Sequence, residues 1–150
     1  MSYLLLVERV KLPAIVIHGG AGAYLKTTSA RQRRRRGQRL EEIVSLAHRS
    51  FADSARAATL AAIHELEIDP RFNAGYGSRL QRDGNARLSC ALMDGAPTRL
   101  SAVYNVQHCT HPSELAAALQ ALPDRNLDGD GARLLMLQQG VAPADVRSPK

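Results

Sequence analysis

Two glycine-rich stretches stand out for the chemistry their residue types allow. They are His18-Gly19-Gly20-Ala21-Gly22-Ala23 and Phe72-Asn73-Ala74-Gly75-Tyr76-Gly77-Ser78. In the first, glycine permits positive φ and lets main-chain N–H groups face a cavity with no Cβ in the way. Amides presented like this suit an anion, a carboxylate or a developing oxyanion. A plain tight turn after a strand accounts for the same residues equally well. The second stretch is too rich in small residues for regular structure.

Nucleotide chemistry is excluded by spacing. A phosphate loop of the form G-x-x-x-x-G-K-[ST] ending at Lys26-Thr27 needs glycine at position 25, where Leu25 stands. A dinucleotide fingerprint lacks its third glycine. No G-x-S-x-G surrounds any serine, which removes the nucleophile elbow. His18, His48, His64, His108 and His111 show no metal-ligand spacing with acids along the chain. His64 falls on a helix face as surface or packing, and His108 and His111 fall in a strand-to-helix loop.

The elements that must position these loops follow from pattern. Ala14-Ile15-Val16-Ile17 is a β-branched run that predicts a buried strand stopping at the first glycine loop. Lys26 to Arg39 is basic and lacks hydrophobic periodicity, so a helix is expected only from Leu40. A second helix is expected over Ser54 to Leu66, ended by Pro70. Strands at Arg79–Arg82 and Ala86–Met93 flank an Asp83-Gly84 turn, and a third strand runs near Leu100–Val106. Helices over Glu114–Leu122 and Gly131–Gln139 follow, the last closed by Gly140. Residues 1–150 read as one partial domain, with 141–150 as the start of a linker. Tight turns between strands require antiparallel pairing, so an α+β sheet with helices packed on it is expected, not a doubly wound parallel fold.

The 150-residue chain is 45% hydrophobic but only 4% aromatic, so aliphatic side chains must fill the core. Its net charge is +6, concentrated in Arg31–Arg39. The Arg33–Arg36 run could bind nucleic acid. No aromatic is interleaved, however, and no nucleic-acid module surrounds it, so a solvated loop or helix start explains it more cheaply. Cys90 and Cys109 fit neither a metal motif nor a disulfide framework and are expected as free thiols in the cytoplasm. The apolar start is too short for a signal segment, and no membrane span is present in the sequence.

Beyond these local readings, Ile15-Val16-Ile17-His18-Gly19-Gly20-Ala21-Gly22-Ala23 resembles the N-terminal signature of the plant-type asparaginases and isoaspartyl peptidases. LEIDPRFNAGYGSRLQRDGNARLSCALMDG, from Leu66 to Gly95, is similar to their second signature almost throughout. Val103-Tyr104-Asn105-Val106, His111-Pro112, Leu115-Ala116 and Leu127-Asp128-Gly129 continue the likeness. The resemblance covers nearly all of the chain after the first dozen residues.

The resemblance implies an N-terminal-nucleophile (Ntn) hydrolase αββα sandwich, of which this chain supplies the N-terminal (α) half. The precursor of such a protein cuts itself before a threonine. That threonine, on the β part, becomes the nucleophile, with its own α-amino group as base. The substrates implied are L-asparagine and β-aspartyl (isoaspartyl) dipeptides, and the assembly implied is (αβ)2. No catalytic cofactor is implied. None of Thr27, Thr28, Thr59, Thr98 and Thr110 has the glycine-flanked strand context of the nucleophile, so no catalytic residue is expected in this chain.

What carries over is supporting machinery. His18, Gly19, Gly20 and Gly22 match a loop near the active site that assists precursor cleavage, and Asn73 matches an asparagine that supports the threonine's surroundings. Leu66, Glu67, Asp69, Phe72, Ala74 and Tyr76 match positions whose main-chain carbonyls hold a structural sodium ion, and oxygen donors suit such a hard cation. Arg87 and Ser89 depart from the acids that many relatives carry there. Two other readings stay open: an inactive remnant of the family, and a basic nucleic-acid-binding protein acting through Arg31–Arg39.

Overall fold

The computed structural model describes residues 9, 11–20 and 28–147. Helix α1 spans Ala30–Arg49, far earlier than hydrophobic periodicity predicts. Its start is set by Ser29: the hydroxyl accepts from Gln32 N at 3.2 Å, and the Gln32 side chain accepts from Ser29 N at 2.8 Å. This reciprocal capping box satisfies two amides that the helix cannot satisfy itself. Arginine is a good helix former, so the basic run continues the helix as a solvated face. His48 and Arg49 in the last turn oppose the negative end of the helix dipole.

A 3-10 turn at Ser50–Ala52 reverses the chain into α2, Ala55–Glu67, capped by the Ser54 hydroxyl on Ala57 N. The two helices pack through Ile43, Ala47 and Ala62, with Phe72 closing the cluster and Leu40, Leu66, Ile15 and Ile17 around it. Truncating Ile43 to alanine in such a site costs about 2–5 kcal/mol. The expected strand at Ala14–Ile17 is not formed among the described residues. Ile15 and Ile17 turn inward onto the α1–α2 cluster, while Val16 is 93% exposed.

Strands β1 (Leu88–Gly95) and β2 (Thr98–Val106) form the antiparallel hairpin that the sequence predicts, with Met93 opposite Leu100 and a bulge between Leu88 and Cys90. Arg79–Arg82 is not a strand. Asp83-Gly84 does turn the chain, with Gln81 N on Asn85 O at 2.8 Å, but no ladder extends from it. Helix α3 (Pro112–Leu119) then crosses over to a short β3 (Asn126–Asp128), which pairs parallel to β2. The sheet is therefore mixed, in the order β1-β2-β3. Helix α4 (Gly129–Gln138) ends at Gly140, whose φ is +71°.

Helices α3 and α4 cover one face of the sheet through Val103, Val106, Leu115, Leu119, Leu135 and Met136. Each such side chain contributes about 1.5–3 kcal/mol on burial. The other face is open: Met93 is 65% and Leu100 51% exposed, with Tyr104 beyond them. Within the segment expected to open a linker, residues 141–147 pack back on the body. Ala144 N donates to His108 O at 2.9 Å, and Val146 is buried with Ala86 and Leu88. No described helix is long and apolar enough to cross a membrane.

Candidate functional site

The end of α2 and the loop after it form one closed unit. Tyr76 N returns to Glu67 O at 2.6 Å, Phe72 N bonds Asp69 O at 3.0 Å, and Gly77 N bonds Val146 O at 2.7 Å. Two glycines make this possible. Gly75 has φ +55°, and a Cβ there would overlap the carbonyl oxygens of Thr110 and Glu67. Gly77 has φ +92°, and its Cβ would sit 2.6 Å from Pro70 Cα. Only glycine meets both demands.

The first glycine loop lies directly on this unit. A Cβ on Gly19 would stand 2.9 Å from Phe72 Cε1 and 3.3 Å from Leu40 Cδ2. Gly20 has φ +109°, and its N–H donates to His18 Nδ1 at 3.2 Å. The structure thus brings Gly19 against Phe72 of the second loop, with the exposed His18 and Gly20 on either side of it. Gly22 lies outside the described residues. Asn73 is exposed, and its Oδ1 accepts from Arg79 N at 2.8 Å, which pins the loop's exit.

The carbonyls of Leu66, Glu67, Asp69, Phe72, Ala74 and Tyr76 all belong to this ring of backbone. Those of Glu67 and Asp69 each accept one amide, and a carbonyl oxygen has a second lone pair to offer. Gly75 packs directly against two carbonyl oxygens, those of Glu67 and Thr110. An all-oxygen donor set of this kind fits a hard cation.

Side chains fasten the ring from outside. Arg39 reaches Glu42, Glu65 and Asp69, joining α1, α2 and the loop, and Asp69 also pairs with Arg71. Burial alone raises the Asp69 pKa, but the hydrogen bonds and charge of Arg71, with Arg39, outweigh it and hold the carboxyl below its ordinary value. Arg87 and Ser89 also find partners. Arg87 pairs with Asp83 at 2.7 Å, and Ser89 Oγ accepts from Asn105 N at 3.3 Å.

Sequence reasoning missed the side chain of Glu67. It is 1% exposed and accepts Ser113 N at 3.0 Å, Ser113 Oγ at 2.7 Å and His111 Nδ1 at 3.2 Å. Burial pushes this carboxyl up, against the opposing pull of Ser113 and His111. The three residues match a serine triad in type only. A nucleophile needs the histidine between hydroxyl and acid, whereas here the acid sits between serine and histidine. Glu67 instead caps α3 from a distance, tying its first turn to the end of α2. The run His111-Pro112-Ser113 before a helix was the available signal, but nothing local names an acid 46 residues upstream as its partner.

Comparison with known proteins gives one consistent result. A family profile described as asparaginase matches residues 11–148. An isoaspartyl peptidase/L-asparaginase of Nostoc is 41% identical over 131 residues, covering 86% of this chain and 41% of that protein. A protein of the same description from Synechocystis is 38% identical, covering 80% of this chain and 36% of its own length. An isoaspartyl peptidase of Salmonella typhimurium is 39% identical, covering 85% and 42% respectively. The chain thus spans about two fifths of the length of these relatives.

Proposed function

Because the chain belongs to the asparaginase family, we propose that it is the α part of an amidohydrolase that cleaves L-asparagine, β-aspartyl dipeptides or both. The observation that carries this reading is the seating of Gly19 on Phe72, which joins the two glycine loops into one body. The nucleophile in this reading is a threonine heading a β part released by self-cleavage. Its hydroxyl attacks the side-chain amide carbon while its α-amino group takes the proton. That proton passes to the departing nitrogen as the C–N bond breaks, and water then hydrolyses the acyl-enzyme to the free carboxylate and threonine.

The residues of this chain position and stabilise. The His18-Gly19-Gly20 loop assists precursor cleavage in this reading, and the Gly20 amide would meet developing negative charge on oxygen only on leaving His18 Nδ1. Asn73 holds the loop facing the threonine's surroundings. A sodium ion would be held by the carbonyls of Leu66, Glu67, Asp69, Phe72, Ala74 and Tyr76, and would fix the loop's shape. The open sheet face with Met93, Leu100 and Tyr104 is where the β part's sheet packs to complete an αββα sandwich, with (αβ)2 as the full assembly. The linker to the β part then follows the packed residues 141–147.

Co-expression with a threonine-led β part tests this reading. A soluble, co-eluting α–β complex is expected. Failure of the two parts to associate, with each folded, would count against it.

A further inference from the structure

His64 on α2 and His111 before α3 are 47 positions apart in sequence, yet their rings stack with centroids 4.1 Å apart and planes 14° apart. Glu114, in the first turn of α3, completes the group. One ligand atom from each of His64, His111 and Glu114 lies within 4.8 Å of the other two. We propose that these three residues form a binding site for a zinc-like divalent transition metal on the α2–α3 face, separate from the carbonyl ring after α2.

Three features support it. First, the donors are two imidazoles and one carboxylate, a set that prefers zinc and its neighbours to magnesium or calcium. Second, His111 Nδ1 is engaged by Glu67 Oε2 at 3.2 Å, which leaves Nε2 for a metal. A buried carboxylate behind a ligating histidine fixes its tautomer and raises its basicity, as metal sites require. Glu67 is itself held by Ser113, so this support is rigid. Third, His64 and Glu114 line a cavity of about 470 Å³ with Leu60, Ala61 and Ala117, so an ion has a route in.

Tetrahedral zinc needs ligand atoms about 3.4 Å apart. His64 Nε2 and Glu114 Oε1 are 3.8 Å apart. Stacked rings aim their in-plane lone pairs side by side, so His64 must turn out of its stack on His111 to ligate. Its side chain is 43% and that of Glu114 56% exposed, so both can move onto an ion without disturbing the core. Three protein ligands leave a fourth position for water or a small anion from the cavity. Occupancy would also lock His111, and through Glu67 the end of α2.

Cobalt(II) absorption and zinc competition against a chromophoric chelator test the site in the untagged protein. The expected result is one ion per chain, a four- or five-coordinate cobalt spectrum and no thiolate charge-transfer band. His64→Ala and Glu114→Gln, both at exposed positions, should each weaken zinc binding about tenfold or more. Glu67→Gln should weaken it about 10–100-fold with all three ligands in place, and His48→Ala should leave it unchanged. Binding unaffected by His64→Ala and Glu114→Gln, a thiolate band, or no binding at all would each overturn the proposal.

Discussion

Gly19 lies so close to the ring of Phe72 that a Cβ would come within 2.9 Å of Cε1, and that ring is only 5% exposed. The ring is wedged in the α1–α2 cluster and cannot retreat. Gly19→Val should therefore lift the first loop off the second. In the assembled protein this predicts slower precursor cleavage, read by gel from the persistence of the uncut chain. Gly20→Ala meets nothing within 4 Å among the described residues, so the cost set there is that of φ +109°, about 1–3 kcal/mol. Gly19→Val should impair cleavage more than Gly20→Ala, and the reverse order would reject the contact as the cause.

Gly75 faces a harder constraint, because the atoms that an added Cβ would overlap are backbone oxygens on two separate segments. Gly75→Ala is expected to destabilise the protein by at least about 2 kcal/mol, combining strain with displacement of Glu67 or Thr110. Thermal unfolding with and without sodium chloride, against a choline chloride control, reads both effects. The variant should lose stability and any sodium-specific gain together.

Glu67 should matter more for its side chain than its place in the loop suggests. Glu67→Ala leaves the amide and hydroxyl of Ser113 without their acceptor, at about 1–3 kcal/mol each. Glu67→Gln keeps one acceptor oxygen and should cost less. Equal denaturation midpoints for the two variants would show that the link to α3 contributes nothing.

The two thiols give a pH prediction. Burial pushes Cys90 and Cys109 up to about 11, from an ordinary 9.0. Their thiolate fraction near pH 8 is then roughly one in a thousand, so reaction with a disulfide reagent should be slow until the protein unfolds. A folded pKa above the unfolded one means that this contribution to stability is complete below pH 9 and is lost as pH rises towards about 11. Cys90→Ala and Cys109→Ala should each flatten the fall in stability over that window.

Much of the fold was legible because periodicity and turn chemistry agreed. The β1–β2 hairpin, α2 and the Gly140 stop lie where pattern puts them. The start of α1 was written in Ser29 and Gln32 but hidden by the absence of apolar spacing among the arginines. The strand expected at Ala14–Ile17 has the right residues but no ladder among the described residues, and composition cannot supply a neighbour. β3 is three residues long, and its pairing with β2 depends on where α3 delivers the chain. At the site, the glycine loops announced themselves. The Glu67–Ser113 link and the His64–His111 stack did not, because both join residues more than 40 positions apart.

The most direct test of the central claim is release of ammonia from L-asparagine, and of free aspartate from a β-aspartyl dipeptide, measured for the chain with and without a threonine-led β part. The account predicts hydrolysis only when the two are present and the threonine is at the β part's N-terminus. No hydrolysis by a correctly cleaved complex, or equal hydrolysis by the chain alone, would contradict it.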